Sequence, residues 1–134
     1  MTPEFELSTR DAREALPDTV PLAGLVETAA NLAGLVTALH SGDHGLLSRS
    51  LHDPVVTHAR VGRIPGAAAA LEAARDVGAL GASISGSGPS VFALCRSERS
   101  AREAADAMQA AFADAGMRAS TILSPANAPG ARQR

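Results

Sequence analysis

Two groups of residues in this chain have types and spacings that could do chemistry. The first is Gly81-Ala-Ser-Ile-Ser-Gly-Ser-Gly-Pro-Ser-Val-Phe-Ala-Leu94, a Gly86-Ser87-Gly88 turn set between two short apolar runs. Gly86 and Gly88 lack a Cβ, so they can adopt positive φ and turn consecutive backbone N–H groups toward one point, while Pro89 disfavours the helical region at Gly88. Such a concavity suits a phosphate or a carboxylate. A hairpin turn with no ligand accounts for the same residues. The lysine of a Walker-type loop is missing, and no G-x-G-x-x-G opens a helix.

The second group is cationic. Thr9 and Arg13 stand four apart, so on a helix they share a face, and the Arg13 guanidinium could hold a carboxylate by two parallel hydrogen bonds, as an amino-acid ligand requires. A solvated surface arginine paired with Asp11 or Glu14 is the alternative. Arg60 lies in a polar stretch before Ile64-Pro65 and could supply a second cation; pairing with Asp53 or a solvent-facing role would explain it equally well. His40, His44, His52 and His58 raise the question of a metal site, but His40 and His44 straddle the Ser41-Gly42 break and no carboxylate or cysteine completes a set, so none is expected. Cys95 is the only cysteine, which excludes an intramolecular disulfide, and its neighbours Ala93 and Leu94 point to a buried, inert thiol.

The elements that must position these residues follow from periodicity. Glu4 to Leu7 reads as the tail of a strand, and Ser8 caps a helix that Pro17 stops. From Leu22, apolar residues at Leu25, Ala29, Leu32, Val36 and Leu39 alternate spacings of three and four and describe one helical face, ended by Ser41-Gly42. Asp43 caps a shorter helix with Leu46, Leu47 and Leu51 inward, and His52 to Gly66 reads as a structured loop. Ala67 to Val77 forms a small-residue helix, followed by the hairpin around Gly86-Ser87-Gly88. A last helix runs from a Ser100-Ala-Arg-Glu103 capping box through Ala104, Met108 and Phe112 to Gly116, and Ala119 to Leu123 closes the sheet. The predicted fold is α+β, an antiparallel sheet with helices packed on one face, over a domain at 1–123 with a mobile tail at 124–134.

Composition narrows the function. The 134 residues, 46% hydrophobic, suit one domain with a single core. A net charge of -2 and aromatic content of 2% leave neither a basic field nor stacking platforms for nucleic acid. No apolar run is expected to reach the length of a membrane span, the acidic start at Met1-Thr-Pro-Glu4 does not read as a signal peptide, and the expected location is the cytoplasm.

The Gly81 to Leu94 segment resembles the third, C-terminal motif of the GHMP kinase superfamily, the galacto-, homoserine, mevalonate and phosphomevalonate kinases. Within it the homoserine kinases are most similar, through Leu7-Ser-Thr-Arg-Asp-Ala-Arg-Glu-Ala-Leu-Pro17, Asn31 to Gly42, and Asp53 to Gly66 with Asp53, Arg60 and Ile64-Pro-Gly66 in order. The resemblance runs from about Phe5 to Leu123. It implies a ferredoxin-like C-terminal domain and a complete enzyme that uses ATP and Mg2+ to phosphorylate the hydroxyl of L-homoserine in threonine biosynthesis. It further implies substrate contacts at Thr9, Arg13 and Arg60, and a Gly86, Ser87, Gly88 loop near the phosphates. No catalytic residue is carried over, because the family's catalytic acidic residue, where assigned, lies in the other half; Asp53 is then a structural or orienting partner.

Two departures stand out. Thr57-His58 replaces the Glu-Pro that often precedes the arginine turn, and nothing matches the family's N-terminal phosphate loop, of the Pro-x-x-x-Gly-Leu-Gly-Ser-Ser type. Without a nucleotide cradle the chain alone is expected to be inactive, since phosphoryl transfer depends on positioning nucleotide, metal and acceptor together. A separate N-terminal kinase half, or a homodimer, would be its partner. The alternatives are a non-catalytic α+β binding module, a remnant, or another GHMP kinase.

Overall fold

The computed structural model describes residues 1–127. The elements run β1 (Thr2–Pro3), α1 (Thr9–Glu14), α2 (Leu22–Ser41), α3 (His44–Ser50), α4 (Val56–Val61), α5 (Ala67–Asp76), β2 (Gly81–Ile84), β3 (Val91–Leu94), α6 (Glu98–Asp114) and β4 (Ala119–Ser120). Two antiparallel pairs form, β1 with β4 and β2 with β3. They are joined at Met1, whose nitrogen donates to the Val91 carbonyl at 2.8 Å while the Val91 N–H donates to the Met1 carbonyl at 2.9 Å. That reciprocal exchange is an antiparallel hydrogen-bonded pair, so the strands lie in the order β4, β1, β3, β2.

Alternation along β2 and β3 sends Ala82, Ile84 and Val91 to one face, where α5 and α6 cover them. The small buried residues Ala67, Ala70 and Ala74 let α5 lie close to the sheet, and Ala104, Met108 and Phe112 present one stripe of α6 at spacings of four. Phe112 is fully buried and contributes about 1.5–3 kcal/mol by leaving water. The other face of the hairpin meets α3: a Cβ on Gly81 would collide with Leu51, and Leu94 packs beside Ala38, Leu47 and Leu80. The α+β architecture with an antiparallel sheet is the one expected, but helices cover both faces of the hairpin and not one, because Gly81 leaves room for the end of α3 on the side opposite α5 and α6.

Several local expectations need correction. The first strand is Thr2–Pro3, not Glu4 to Leu7: the Glu4 N–H still bonds in register to the Arg118 carbonyl, but the Phe5 N–H turns back to the Pro3 carbonyl at 2.8 Å and the chain leaves the sheet. The closing strand pairs only over Ala119–Ser120 and stops well short of Leu123. Part of the predicted tail, residues 128–134, lies outside the described residues. Helix α6 begins one turn early: Ser97 caps it reciprocally with Ser100, which displaces the expected Ser100 to Glu103 box and puts Glu98 in the first turn. The stretch read as a loop holds α4, a helix too short to show apolar periodicity.

Periodicity assigns α2 one apolar face without placing it inward or outward. Its Leu25, Leu32, Val36 and Leu39 stripe points outward, with Leu32 at 62% and Leu39 at 63% exposure. The helix packs on α3 through its small side instead: Ala38 is buried near Leu47, and a Cβ on Gly34 would strike the Ser50 hydroxyl. At 20 residues α2 is also long and apolar enough by length and composition to cross a membrane, contrary to expectation.

Candidate functional site

Arg60 stands at the end of α4 and joins two of the segments singled out in the sequence. Its Nε donates to the Ala12 carbonyl at 2.8 Å, and its Nη1 donates to the Gly86 carbonyl at 3.2 Å. One rigid guanidinium fork therefore holds α1 beside the glycine turn. The proposed alternative partner, Asp53, is occupied elsewhere.

Asp53 begins the approach to α4 and is bound by the backbone ahead of it. Its Oδ1 accepts from the amides of Val55 at 2.9 Å and Val56 at 2.8 Å, and its Oδ2 accepts from the Thr57 amide at 2.9 Å and the Thr57 hydroxyl. These amides are the ones a helix start leaves without intrahelical partners, so Asp53 caps α4 across Pro54. Burial raises the Asp53 pKa, but the amides of Val56, Val55 and Thr57 and the Thr57 hydroxyl outweigh it and hold the carboxyl below its ordinary value. The Thr57 hydroxyl also lies 2.8 Å from the Ser83 hydroxyl, tying α4 to β2. Thr57 thus links the cap to the sheet, and the expected orienting role of Asp53 has a definite geometry.

The turn itself is built as its glycines demand. Gly86 has φ 61° and Gly88 φ 82°, and the Gly88–Pro89 peptide bond is cis. The Gly88 N–H closes the turn on the Ser85 carbonyl at 3.1 Å, and the Ser85 N–H reaches the Ser90 carbonyl at 2.8 Å. Among the described residues the Gly86 and Ser87 amides have no protein acceptor, which leaves two consecutive donors beside the Arg60 cation. That donor set can hold an anionic oxygen. Space is filled unequally: a Cβ on Gly88 would stand 2.7 Å from Ile64 Cδ1, whereas one on Gly86 would meet nothing within 4 Å.

Ser8 caps α1 by accepting from the Asp11 amide at 3.0 Å, and the six-residue helix places exposed Thr9 and Arg13 one turn apart. Glu14 pairs with Arg10 rather than with Arg13, at 2.9 Å. Arg60 therefore brings the α1 backbone and the turn together, and Thr9 and Arg13 stand on that same helix with their side chains in solvent. An open groove of about 660 Å3 lies elsewhere, bounded by α4, α5 and β2; Asp53, Thr57, Glu72 and Arg75 wall it, and neither Arg13 nor the turn does. His52 sits 3.7 Å from Glu27 and the His40 ring lies against the Val36 carbonyl, while among the described residues no three His, Cys, Asp or Glu side chains gather. Burial pushes the half-buried Cys95 thiol up, away from the reactive thiolate.

The residues that the sequence did not flag are Ala12, whose carbonyl anchors Arg60, and Ser83, whose hydroxyl meets that of Thr57, a position marked only as a departure from the family. A backbone carbonyl carries no residue-type signal. Thr57 stood four residues after Asp53, a spacing at which a carboxylate reaches a following helix start, and that was the available clue.

An α1, α4 and glycine-turn junction on a four-stranded β4, β1, β3, β2 sheet defines the class. Residues 35–114 match the family described as GHMP kinases C terminal, and the chain belongs to it. Its relatives are homoserine kinases. It is 45% identical over 130 residues to the homoserine kinase of Xanthomonas campestris pv. campestris, covering 97% of this chain and 40% of that protein. It is 43% identical over 115 residues to the homoserine kinase of Haloarcula marismortui, covering 86% of this chain and 39% of that protein. The crystal structure of homoserine kinase from Cytophaga hutchinsonii superposes with a TM-score of 0.84 at 43% identity, over 86% of this chain and 36% of that one. The chain is therefore homologous to the C-terminal part of homoserine kinases and spans about 40% of the length of these relatives.

Proposed function

We propose that this chain is the substrate-binding C-terminal half of a homoserine kinase, which in the complete enzyme moves the γ-phosphoryl group of ATP to the hydroxyl of L-homoserine. In that transfer the homoserine oxygen forms the new bond to phosphorus, the bond from the γ-phosphorus to the ADP oxygen breaks, and the hydroxyl proton leaves. The observation that carries the reading is the Arg60 clasp, which fixes α1 against the turn. Arg13, one turn beyond Thr9 on α1, offers a fork for the homoserine carboxylate, and Thr9 offers a hydroxyl. Arg60, with its Nε and Nη1 engaged, keeps the cleft cationic, and the Gly86 and Ser87 amides face a phosphate oxygen.

Amides and cations do not suit Mg2+, which demands oxygen ligands. The ion that the family uses belongs with the nucleotide, on residues outside this set. No group here is assigned as the proton acceptor.

The test is a chimaera in which this chain replaces the matching C-terminal part of the Xanthomonas campestris homoserine kinase, assayed for ADP release. Homoserine-dependent turnover is expected, and Arg13→Ala should raise the KM for homoserine about 10- to 100-fold, the loss of one charge-assisted fork, with the KM for ATP unchanged. A folded chimaera indifferent to homoserine, or an Arg13→Ala variant with unchanged KM for homoserine, would overturn the reading.

A further inference from the structure

Among the described residues, seven of the ten exposed large apolar side chains fall between Val20 and Leu39. On α2, positions 22, 25, 29, 32, 36 and 39 recur at spacings of three and four, so they line one side of the helix. The opposite side, Gly34 and Ala38, is committed to α3. Glu27, the only acidic or basic residue of α2 apart from His40, is drawn toward His52. The outward face is thus apolar, free of acidic and basic groups apart from the terminal His40, and uncovered, which is the composition of the buried centre of an interface.

We propose that this face of α2 docks the nucleotide-binding part of the kinase, an inference that rests on the functional reading above. Two observations choose that occupant. The relatives are more than twice as long as the stretch this chain matches, so they carry a large body of protein with which such a face can pack. The face also continues into the site: Leu32 borders a groove of about 220 Å3 walled by Asn31, Asp53, Ser83 and Phe92, and Gly24 lies against Val55 at the start of α4. A body seated along α2 is therefore led toward α4, Arg60 and the glycine turn.

The experiment places a cysteine on the stripe, Leu32→Cys, with Val77→Cys as an exposed control at the C-terminal end of α5, and follows maleimide labelling by peptide mapping. In the chain alone both cysteines should react fast, light scattering should show a monomer, and Leu25→Glu should leave it so. In the chimaera with the Xanthomonas campestris protein, Leu32→Cys should react at least about tenfold more slowly while Val77→Cys is unchanged. Equal labelling of Leu32→Cys in both contexts would overturn the proposal. So would protection in the chain alone, whether from concentration-dependent dimerisation or from added phospholipid vesicles, if Leu25→Glu abolished it. Labelling needs no turnover: protection without homoserine-dependent activity would sink the functional reading alone, and activity without protection would sink the docking alone.

Discussion

Helices α2 and α6 are the two longest in the molecule, and they dispose of their apolar faces in opposite ways. Helix α6 turns Ala104, Met108 and Phe112 into the core against α5 and the sheet, so its stripe is at most 3% exposed. Helix α2 has a stripe of the same periodicity and larger side chains, and Leu22 at its start is 75% exposed. The difference lies in what the other face offers. On α6 the opposite face is charged, with Arg99 paired to Glu103 and Arg102 to Glu98, so only one face can go inward. On α2 the opposite face is small, with Gly34 and Ala38, and close helix contact with α3 outcompetes burial of the leucines.

The largest effect that would test this contrast is on stability. Phe112→Ala should cost about 3–5 kcal/mol in urea denaturation, enough to unfold much of the population, while Leu32→Ala should change stability by less than about 0.5 kcal/mol. Comparable losses would mean that the α2 stripe is already covered within this chain.

The same contrast between filled and open surroundings recurs inside the glycine turn. Gly88→Ala adds a methyl beside the buried Ile64 as well as an unfavourable positive φ, and should cost about 2–4 kcal/mol. Gly86→Ala bears only the backbone term, about 1–2 kcal/mol. Thermal denaturation of the two variants would rank them, and equal midpoints would contradict the packing of Gly88.

The smallest effect is at the cap of α4. Asp53→Ala should cost about 0.5–2 kcal/mol at neutral pH. Its folded pKa is depressed, so its contribution is fully present above the ordinary carboxylate value of roughly 3.9 and is lost as pH falls through the lower folded value. The gap between wild type and Asp53→Ala should therefore narrow on acidification in denaturation curves below pH 4; a gap that widened would remove Asp53 from the cap.

What could be read in the sequence was local. The Ser8 cap, the Asp43 cap, the positive φ of Gly86 and Gly88, and the helical periods of α2, α5 and α6 are set by side chains within a few residues. The two serines at 97 and 100 both begin plausible capping boxes, and tertiary placement of the α6 stripe chose the earlier one. Helix α4 was hidden because its cap stands across a proline and its six residues bury no stripe. Periodicity marked the apolar side of α2 without saying that it faces outward. In the candidate site, Arg60 was legible as a cation but its partners were not, since both are main-chain carbonyls brought close by segments 48 and 26 residues away.

The strand order has a kinetic consequence. The β2 and β3 strands meet first at Ile84 and Val91, whereas the centre of the sheet is supplied by β1, whose Thr2 pairs with Ser120. By loop-closure entropy, joining residues 118 apart costs about 2.5 kcal/mol more than joining residues 7 apart. Chain entropy thus favours the hairpin at the sheet edge as the early contact and makes the pairing of Thr2 with Ser120 the late one.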